Sequence, residues 1–313
     1  MSATLGKVAV VGAGAVGSYY GARLARAGEE VHFLMRRDYD AVRERGLSVR
    51  IDAPEVRESF HLSAPRVYRN TREIGPVDWV VVGIKATARD ALVELLPPLL
   101  GADTSILLLQ NGLGIDEWAA ERFGADRIVG GLCFVCLNRT APAVVECYHP
   151  GSVSIGEFNR PAGSQAHTIA AAFERAGVKC RVADNLMEMR WRKLVWNVPF
   201  NGLSVAEGGM TTDRILEDPR LAAEVRALMG EVQSAAAAFG FSIPDDFLEQ
   251  MIDVTRRMGA YKPSSMVDFL AGRSVEVEAI WGEPLRRARA AGVAMPRLSA
   301  LYERLLALCP KRA

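Results

Sequence analysis

Three polar residues recur at a regular spacing in an otherwise apolar stretch of the chain. Lys193, Asn197 and Asn201 are four residues apart, and residues with this spacing form one stripe along an α-helix. Because Trp, Val, Leu and Phe surround them, we expect a buried helix whose stripe faces a cleft or a partner. Burial lowers the pKa of a lysine, which suits proton donation to a carbonyl oxygen. The alternatives are a lysine that reaches solvent, asparagines that bond a neighbouring helix, and Asn201 as a helix cap before Gly202.

A second group of polar residues lies further along, before another helical stretch. Ser265 could orient a substrate carboxylate, with Ser264 as the alternative position. Glu276 could accept a hydrogen bond from a substrate hydroxyl or hold Lys193. The default interpretation is a serine cap and a first-turn glutamate that the helix dipole favours.

A glycine-rich turn near the start of the chain fits the pattern GxGxxG. It consists of Gly12, Ala13, Gly14, Ala15, Val16 and Gly17. An apolar strand precedes the turn, a helical pattern follows it, and a second apolar strand begins near Glu30. In this context the first glycine permits the tight turn, the second lets pyrophosphate approach the backbone, and the third lets the helix pack on the strand. The pattern predicts a dinucleotide site at a helix N-terminus.

The end of the second strand indicates which dinucleotide is bound. NAD sites usually carry an acidic residue there, which holds the ribose 2′-hydroxyl. This chain instead has Met35, Arg36 and Arg37, and Asp38 is expected to begin the next turn. A guanidinium pairs with a 2′-phosphate, whereas a carboxylate repels it. We therefore predict NADPH rather than NADH, the alternative being a solvated basic pair.

Two further polar clusters follow apolar strands. Lys85 follows one strand, and Asn111 lies between the next strand and a glycine-rich turn. Ligands of doubly wound folds bind at the carboxyl ends of strands, so both residues are candidates for the cofactor side of a cleft. The position of Asn111 is explained equally well by an Asx-turn and by a role in the cofactor site.

Composition excludes several other classes of protein. The chain has 313 residues, of which 50% are hydrophobic and 24% charged, and a formal net charge of +1. This balance gives no electrostatic case for nucleic acid or membranes as partners. The five cysteines are an odd number at irregular spacing, which argues against a disulfide framework. No metal site is predicted either, because Cys133 and Cys136 would point to opposite faces of a strand. No leader-like segment or membrane span is evident, so we expect a cytoplasmic protein.

The pattern of elements changes near residue 185. The predicted strands are Lys7–Gly12, Glu30–Met35, Trp79–Val82, Ser105–Leu109, Ile128–Leu137, Ser152–Gly156 and Lys179–Val182. The predicted helices are Val16–Ala27, Thr87–Leu96, Gln165–Ala176, Pro219–Phe239, Asp245–Met258, Glu276–Ala291 and Pro296–Leu308. Strands thus alternate with helices at first, and only helices follow. This order predicts a Rossmann-type doubly wound parallel sheet over residues 1–185, which binds NADPH, and an all-helical domain over 186–313, which carries the substrate and catalytic residues.

Taken together and in order, these motifs resemble the ketopantoate reductase family (2-dehydropantoate 2-reductase). The resemblance covers essentially the whole chain. It implies reduction of 2-dehydropantoate to (R)-pantoate with NADPH, a step of pantothenate biosynthesis. No metal is implied, and the apolar C-terminal helix faces are compatible with a homodimer as well as with domain packing.

The resemblance also implies roles for individual residues. Lys193 would be the general acid, and Asn111 would lie beside the nicotinamide and the reacting oxygen. Asn197, Asn201, Ser265 and Glu276 would bind the substrate, Arg36 the 2′-phosphate, and Lys85 would belong to the cofactor side. The alternatives are an NADPH-dependent reductase of another 2-oxo or 3-oxo acid, and an NADPH-binding sensor without catalytic activity.

Overall fold

The computed structural model describes residues 4–53 and 56–310. The first residues of the chain, on which the expectation about a leader segment partly depends, lie outside this range. The described chain divides into two compact units. The first runs up to Gln110 and resumes over Ile115–Leu186, and the second combines Asn111–Gly114 with the chain from Met187 onward.

A single sheet dominates the first unit. Its strands within the described residues are β1 (Lys7–Val11), β2 (Glu30–Leu34), β3 (Leu47–Ala53), β4 (Val56–Leu62), β5 (Arg66–Tyr68), β6 (Val77–Val82), β7 (Leu100–Leu108), β8 (Ile128–Ala141), β9 (Val144–Glu157) and β10 (Cys180–Val182). Strands β5, β2, β1, β6, β7 and β8 lie side by side in that order and run parallel. In order of appearance this is the 3-2-1-4-5-6 arrangement of the Rossmann fold. The predicted fold class is therefore confirmed.

The strand order reverses between β1 and β6, which directs two loops to the same edge of the sheet. Residues 8–11 of β1 are completely buried, as expected for a strand covered on both faces. The glycine-rich turn follows β1, and the loop that carries Lys85 follows β6. Doubly wound folds bind their ligands in the crevice at such a reversal.

Three strands of the first unit were not predicted. Strand β3 alternates buried and more exposed residues, a period-2 signal that was present in the sequence. Strand β4 pairs with β3 but is polar and largely exposed, so its pattern is weak. Strand β5 has only three residues. The two antiparallel pairs, β3 with β4 and β8 with β9, make the sheet mixed.

The helices of the first unit flank the parallel strands. They are α1 (Ala15–Arg26), α2 (Tyr39–Arg45), α3 (Thr71–Ile74), α4 (Leu92–Leu95), α5 (Ile115–Phe123) and α6 (Ser164–Arg175), with 3₁₀ turns at Ala86–Ala91, Pro97–Leu99 and Ala125–Arg127. The prediction of one helix over Thr87–Leu96 is wrong. The segment is a 3₁₀ turn kinked at Ala88 followed by the short α4, and Pro97 prevents its continuation.

The described part of the second unit contains helices and no strand. They are α7 (Leu186–Ala206), α8 (Thr212–Glu217), α9 (Pro219–Ala238), α10 (Asp245–Met258), α11 (Ser264–Leu270), α12 (Glu283–Ala290) and α13 (Pro296–Leu308). The predicted helix Glu276–Ala291 differs in its first half, where Glu278–Gly282 forms a π-helical turn before α12 begins. In the described range no helix has the length and apolarity needed to cross a membrane.

Candidate active site

Helix α7 carries the polar stripe through the core of the second unit. Lys193, Asn197 and Asn201 are 8%, 6% and 2% exposed, respectively. The residues between them, such as Leu194 and Val198, pack in the apolar core and hold the helix in place. Three polar side chains buried along one helix face are costly unless they meet partners or a ligand.

The carboxamide of Asn111 links two charged side chains. Lys193 Nζ donates a hydrogen bond to Asn111 Oδ1 over 2.9 Å, and Asn111 Nδ2 donates to Glu276 Oε2 over 3.3 Å. The two bonds define the orientation of the amide, since the ammonium can only donate and the carboxylate can only accept. Lys193, Asn111 and Glu276 therefore form one cluster, in which the asparagine carboxamide joins an ammonium group to a carboxylate.

Asn111 reaches this cluster because its loop is attached to the second unit. Leu113 N–H donates to the Ala279 carbonyl over 2.9 Å, and Ala279 belongs to the π-helical turn. Gly112 has φ +92°, and a Cβ atom there would overlap the Ala279 carbonyl oxygen. Single π-helical turns occur frequently at functional sites. The π turn and Gly112 thus determine where the Asn111 side chain lies, a role that the sequence did not suggest.

A second contact joins α7 to α11. Ser265 N–H donates to Asn201 Oδ1 over 3.0 Å. Ser265 is buried, whereas Ser264 is exposed at the start of α11. The alternative interpretation of Asn201 as a helix cap is wrong, because α7 continues to Ala206.

Several polar groups beside this contact are able to form hydrogen bonds with a ligand. In the range that the structure describes, the Asn197 side chain makes no hydrogen bond, nor does the Ser265 hydroxyl. The Nδ2 group of Asn201 likewise has no acceptor there. Amide and hydroxyl donors grouped in this way can bind carboxylate or hydroxyl oxygens of a small molecule.

The glycines of the turn after β1 have different surroundings. Gly12 has φ +91°, and a Cβ atom on it would lie 2.5 Å from Ile84 N. A Cβ atom on Gly17 would overlap the Gly12 carbonyl oxygen, so α1 packs closely on the turn. Gly14 is the N-cap of the twelve-residue helix α1, and a Cβ atom there would have no atom within 4 Å. The turn therefore leaves an open space in front of the free N–H groups of Ala15, Val16 and Gly17.

The charged residues after β2 pair selectively. Asp38 Oδ2 lies 3.2 Å from Arg139 Nη1, and Asp40 Oδ2 lies 2.7 Å from Arg69 Nη2. Arg36 is exposed and, among the described residues, makes no ion pair or hydrogen bond; the same is true of Arg37. The two acidic side chains are thus paired, whereas the two guanidinium groups have no partner among the described residues.

Lys85 begins the turn that follows β6. It is half-buried, and its carbonyl accepts a hydrogen bond from Ala88 N–H over 2.9 Å. Its loop contacts the glycine-rich turn, because a Cβ atom on Gly83 would lie 2.7 Å from the Gly12 carbonyl oxygen. No group of three or more His, Cys, Asp or Glu side chains that could hold a metal ion occurs in residues 4–53 and 56–310.

Comparisons with known proteins give consistent results. The family models "Ketopantoate reductase PanE/ApbA" and "Ketopantoate reductase PanE/ApbA C terminal" match residues 8–160 and 185–308. A 2-dehydropantoate 2-reductase of Nostoc sp. is 38% identical over 96% of this chain and 94% of its own. The crystal structure of 2-dehydropantoate 2-reductase from Geobacter metallireducens has a TM-score of 0.91 and 43% identity, covering 96% of this chain and 98% of the other.

A more distant structure shares the fold. The ternary structure of D-mandelate dehydrogenase with NADH and anilino(oxo)acetate has a TM-score of 0.86 at 22% identity, over 96% of this chain and 98% of that one.

The Rossmann-type sheet and the helical unit with its buried lysine define an oxidoreductase, the class to which these relatives belong. More specifically, the chain belongs to the ketopantoate reductase PanE/ApbA family.

Proposed function

We propose that this chain reduces 2-dehydropantoate to (R)-pantoate with NADPH, with Lys193 as the general acid, and so serves pantothenate biosynthesis. The observation that carries the proposal is the buried Lys193–Asn111–Glu276 cluster in a chain of this family. The first domain, residues 1–185, binds the cofactor, and the second, residues 186–313, binds the substrate and supplies the proton.

The residues of the first unit fit a phosphorylated dinucleotide. The open space at Gly14 accepts the pyrophosphate, where the α1 N-terminus offers N–H groups and the positive end of the helix dipole. Arg36 binds the 2′-phosphate, because its guanidinium is exposed and unpaired within the described chain. Lys85 contributes positive charge on the same side. When bound, NADPH supplies the hydride that reduces the carbonyl carbon.

Replacing Arg36 with alanine tests the choice of cofactor. We expect the Kd of NADPH to rise about 10- to 100-fold and the Kd of NADH to change less than about 3-fold, because the lost charge meets only the 2′-phosphate. Fluorescence titration of both cofactors measures the two effects. An equal loss of affinity for both dinucleotides would remove Arg36 from the 2′-phosphate site.

The second unit supplies the proton. Lys193 donates to the oxygen of the reacting carbonyl, and Asn111 keeps the ammonium in position through its 2.9 Å hydrogen bond. Glu276 accepts a hydrogen bond from Asn111 and so places a negative charge in the same cluster as the lysine. Among the donors beside the cluster, Ser265 binds the substrate carboxylate, and Asn197 and Asn201 bind its hydroxyl and carbonyl oxygens.

Gly112 and Gly114 provide a matched test of how Asn111 is positioned. Both glycines have positive φ, but a Cβ atom on Gly112 overlaps the Ala279 carbonyl oxygen, whereas one on Gly114 lies 3.3 Å from the Glu283 side chain. Because misplacing a catalytic group by about 1 Å can cost ~100-fold in rate, we expect Gly112→Ala to lower kcat ~10- to 100-fold. Gly114→Ala should lower it only a few-fold. Equal losses of kcat in both variants, at equal melting temperature, would exclude this positioning role.

A panel of oxo acids tests the substrate. We expect 2-dehydropantoate to have the highest kcat/KM with NADPH among 2-oxo and 3-oxo acids of similar size. A higher kcat/KM for another oxo acid would reassign the substrate and keep the chemistry. NADPH binding without turnover of any oxo acid would indicate a sensor instead.

A further inference from the structure

The turn after β2 contains an acidic residue at a position that matters for cofactor choice. Asp38 lies two residues beyond Arg36, where an acidic side chain would repel a 2′-phosphate. Its carboxylate is 12% exposed and paired with Arg139 on β8, whereas the Asp40 carboxylate is 71% exposed. Asp38 is therefore covered by an arginine that the chain supplies from a distant strand.

The geometry points to Arg139 as a residue that determines specificity for NADPH, acting through Asp38. This inference depends on the proposed function, because it concerns how the proposed cofactor is selected. Arg139 forms an ion pair with the Asp38 carboxylate and so compensates its negative charge. As a result, the carboxylate does not repel a 2′-phosphate. Because its oxygen already interacts with Arg139, it also does not accept a hydrogen bond from a ribose hydroxyl. Arg36 and Arg37 are then left as the uncompensated charges of the turn among the described residues.

A purely structural role explains the pair less well. An isolated ion pair at a partly exposed site contributes little to folding stability. Arg139 lies opposite Val145 of β9 in the strand register, and its side chain is 32% exposed. A role in anion selection explains why the Arg139–Asp38 pair lies beside Arg36 and Arg37, the two arginines of the turn that are unpaired among the described residues.

Arg139→Met tests the inference by exposing the Asp38 carboxylate. We expect the ratio of the Kd of NAD⁺ to the Kd of NADP⁺ to fall about 3- to 10-fold, since one negative charge is released near a doubly charged phosphate. Asp38→Asn alone leaves the Arg139 charge unpaired and should therefore raise the ratio. In the double variant, Arg139→Met with Asp38→Asn, the ratio should return to within about 2-fold of the wild-type value.

A charge control is available in the same unit. Arg57 pairs with Asp52 over 3.3 Å at the tip of the β3–β4 hairpin, and Arg57→Met removes the same charge there. We expect no change in the ratio for this variant. All variants are titrated with NADP⁺ and NAD⁺ by tryptophan fluorescence, after melting curves have shown that they are folded.

The outcomes separate the inference from the proposed function. If wild type prefers NADP⁺ but Arg139→Met keeps the wild-type ratio, the inference is overturned and the cofactor assignment stands. If Asp38→Asn fails to restore the ratio, Arg139 does not act through Asp38, and the inference is again overturned. If wild type shows no preference for NADP⁺, the cofactor assignment of the proposed function itself fails, and the inference with it.

Discussion

Replacing Lys193 with alanine is expected to lower kcat by at least ~100-fold while the affinity for NADPH barely changes. As the carbonyl carbon is reduced, its oxygen becomes an alkoxide, which is far more basic. A positioned ammonium stabilises this charge as it develops and then gives up a proton, so its benefit is concentrated in the transition state. General-acid catalysis is typically worth ~10²–10⁴ in rate, about 3–5 kcal/mol of barrier.

A second substitution separates this chemistry from packing. Lys193→Met keeps an apolar side chain of similar length, so the core of the second unit should be disturbed less than by alanine. If Lys193 is a proton donor, both variants should lose turnover to a similar extent. If the lysine only packs its aliphatic stem, Lys193→Ala should be less stable and Lys193→Met should have nearly normal turnover. Steady-state kinetics on folded protein distinguishes the two, and a kcat within a few-fold of wild type in the methionine variant would remove Lys193 from the mechanism.

Gly14→Val is expected to abolish measurable binding of both NADPH and NADH. A Cβ atom on Gly14 would have no atom of the described residues within 4 Å, so we expect the fold to tolerate the substitution. It would, however, occupy the space in front of the α1 N-terminus, where the pyrophosphate must lie. Titration with each cofactor together with a melting curve measures both expectations.

A matched glycine shows whether valine as such is harmful. Gly230 lies inside helix α9 and likewise has no atom within 4 Å of an added Cβ. We expect Gly230→Val to be folded and to bind both cofactors as wild type does. Tight NADPH binding by Gly14→Val would show that the cofactor binds elsewhere.

The features that were predictable from the sequence depend on neighbours within a few residues. The Gly12–Gly17 turn follows from an apolar strand, three glycines and a helical pattern in direct succession. The burial of the Lys193 stripe follows from helical spacing and its apolar neighbours. The same reasoning did not resolve Asn111, for which an Asx-turn and a site residue were equally suitable.

The features that were missed depend on contacts between distant parts of the chain. Asn111 bonds to Glu276, and Leu113 bonds to the π-helical turn, but neither local pattern indicates the other. Arg139 and Asp38 are likewise distant in sequence, so the neutralised carboxylate could not be distinguished from a solvated one. Such pairings become visible only when the folded chain brings segments that are distant in sequence together.

Transfer of deuterium from cofactor to product tests the central claim most directly. The enzyme is incubated with 2-dehydropantoate and NADPH that carries deuterium on the transferable face of nicotinamide C4, and the product is examined by mass spectrometry. We expect (R)-pantoate with one deuterium atom on C2, and far less product from Lys193→Ala in the time that wild type needs for completion. Pantoate without deuterium, or no reduction of 2-dehydropantoate by the folded wild-type protein, would contradict the proposed reaction.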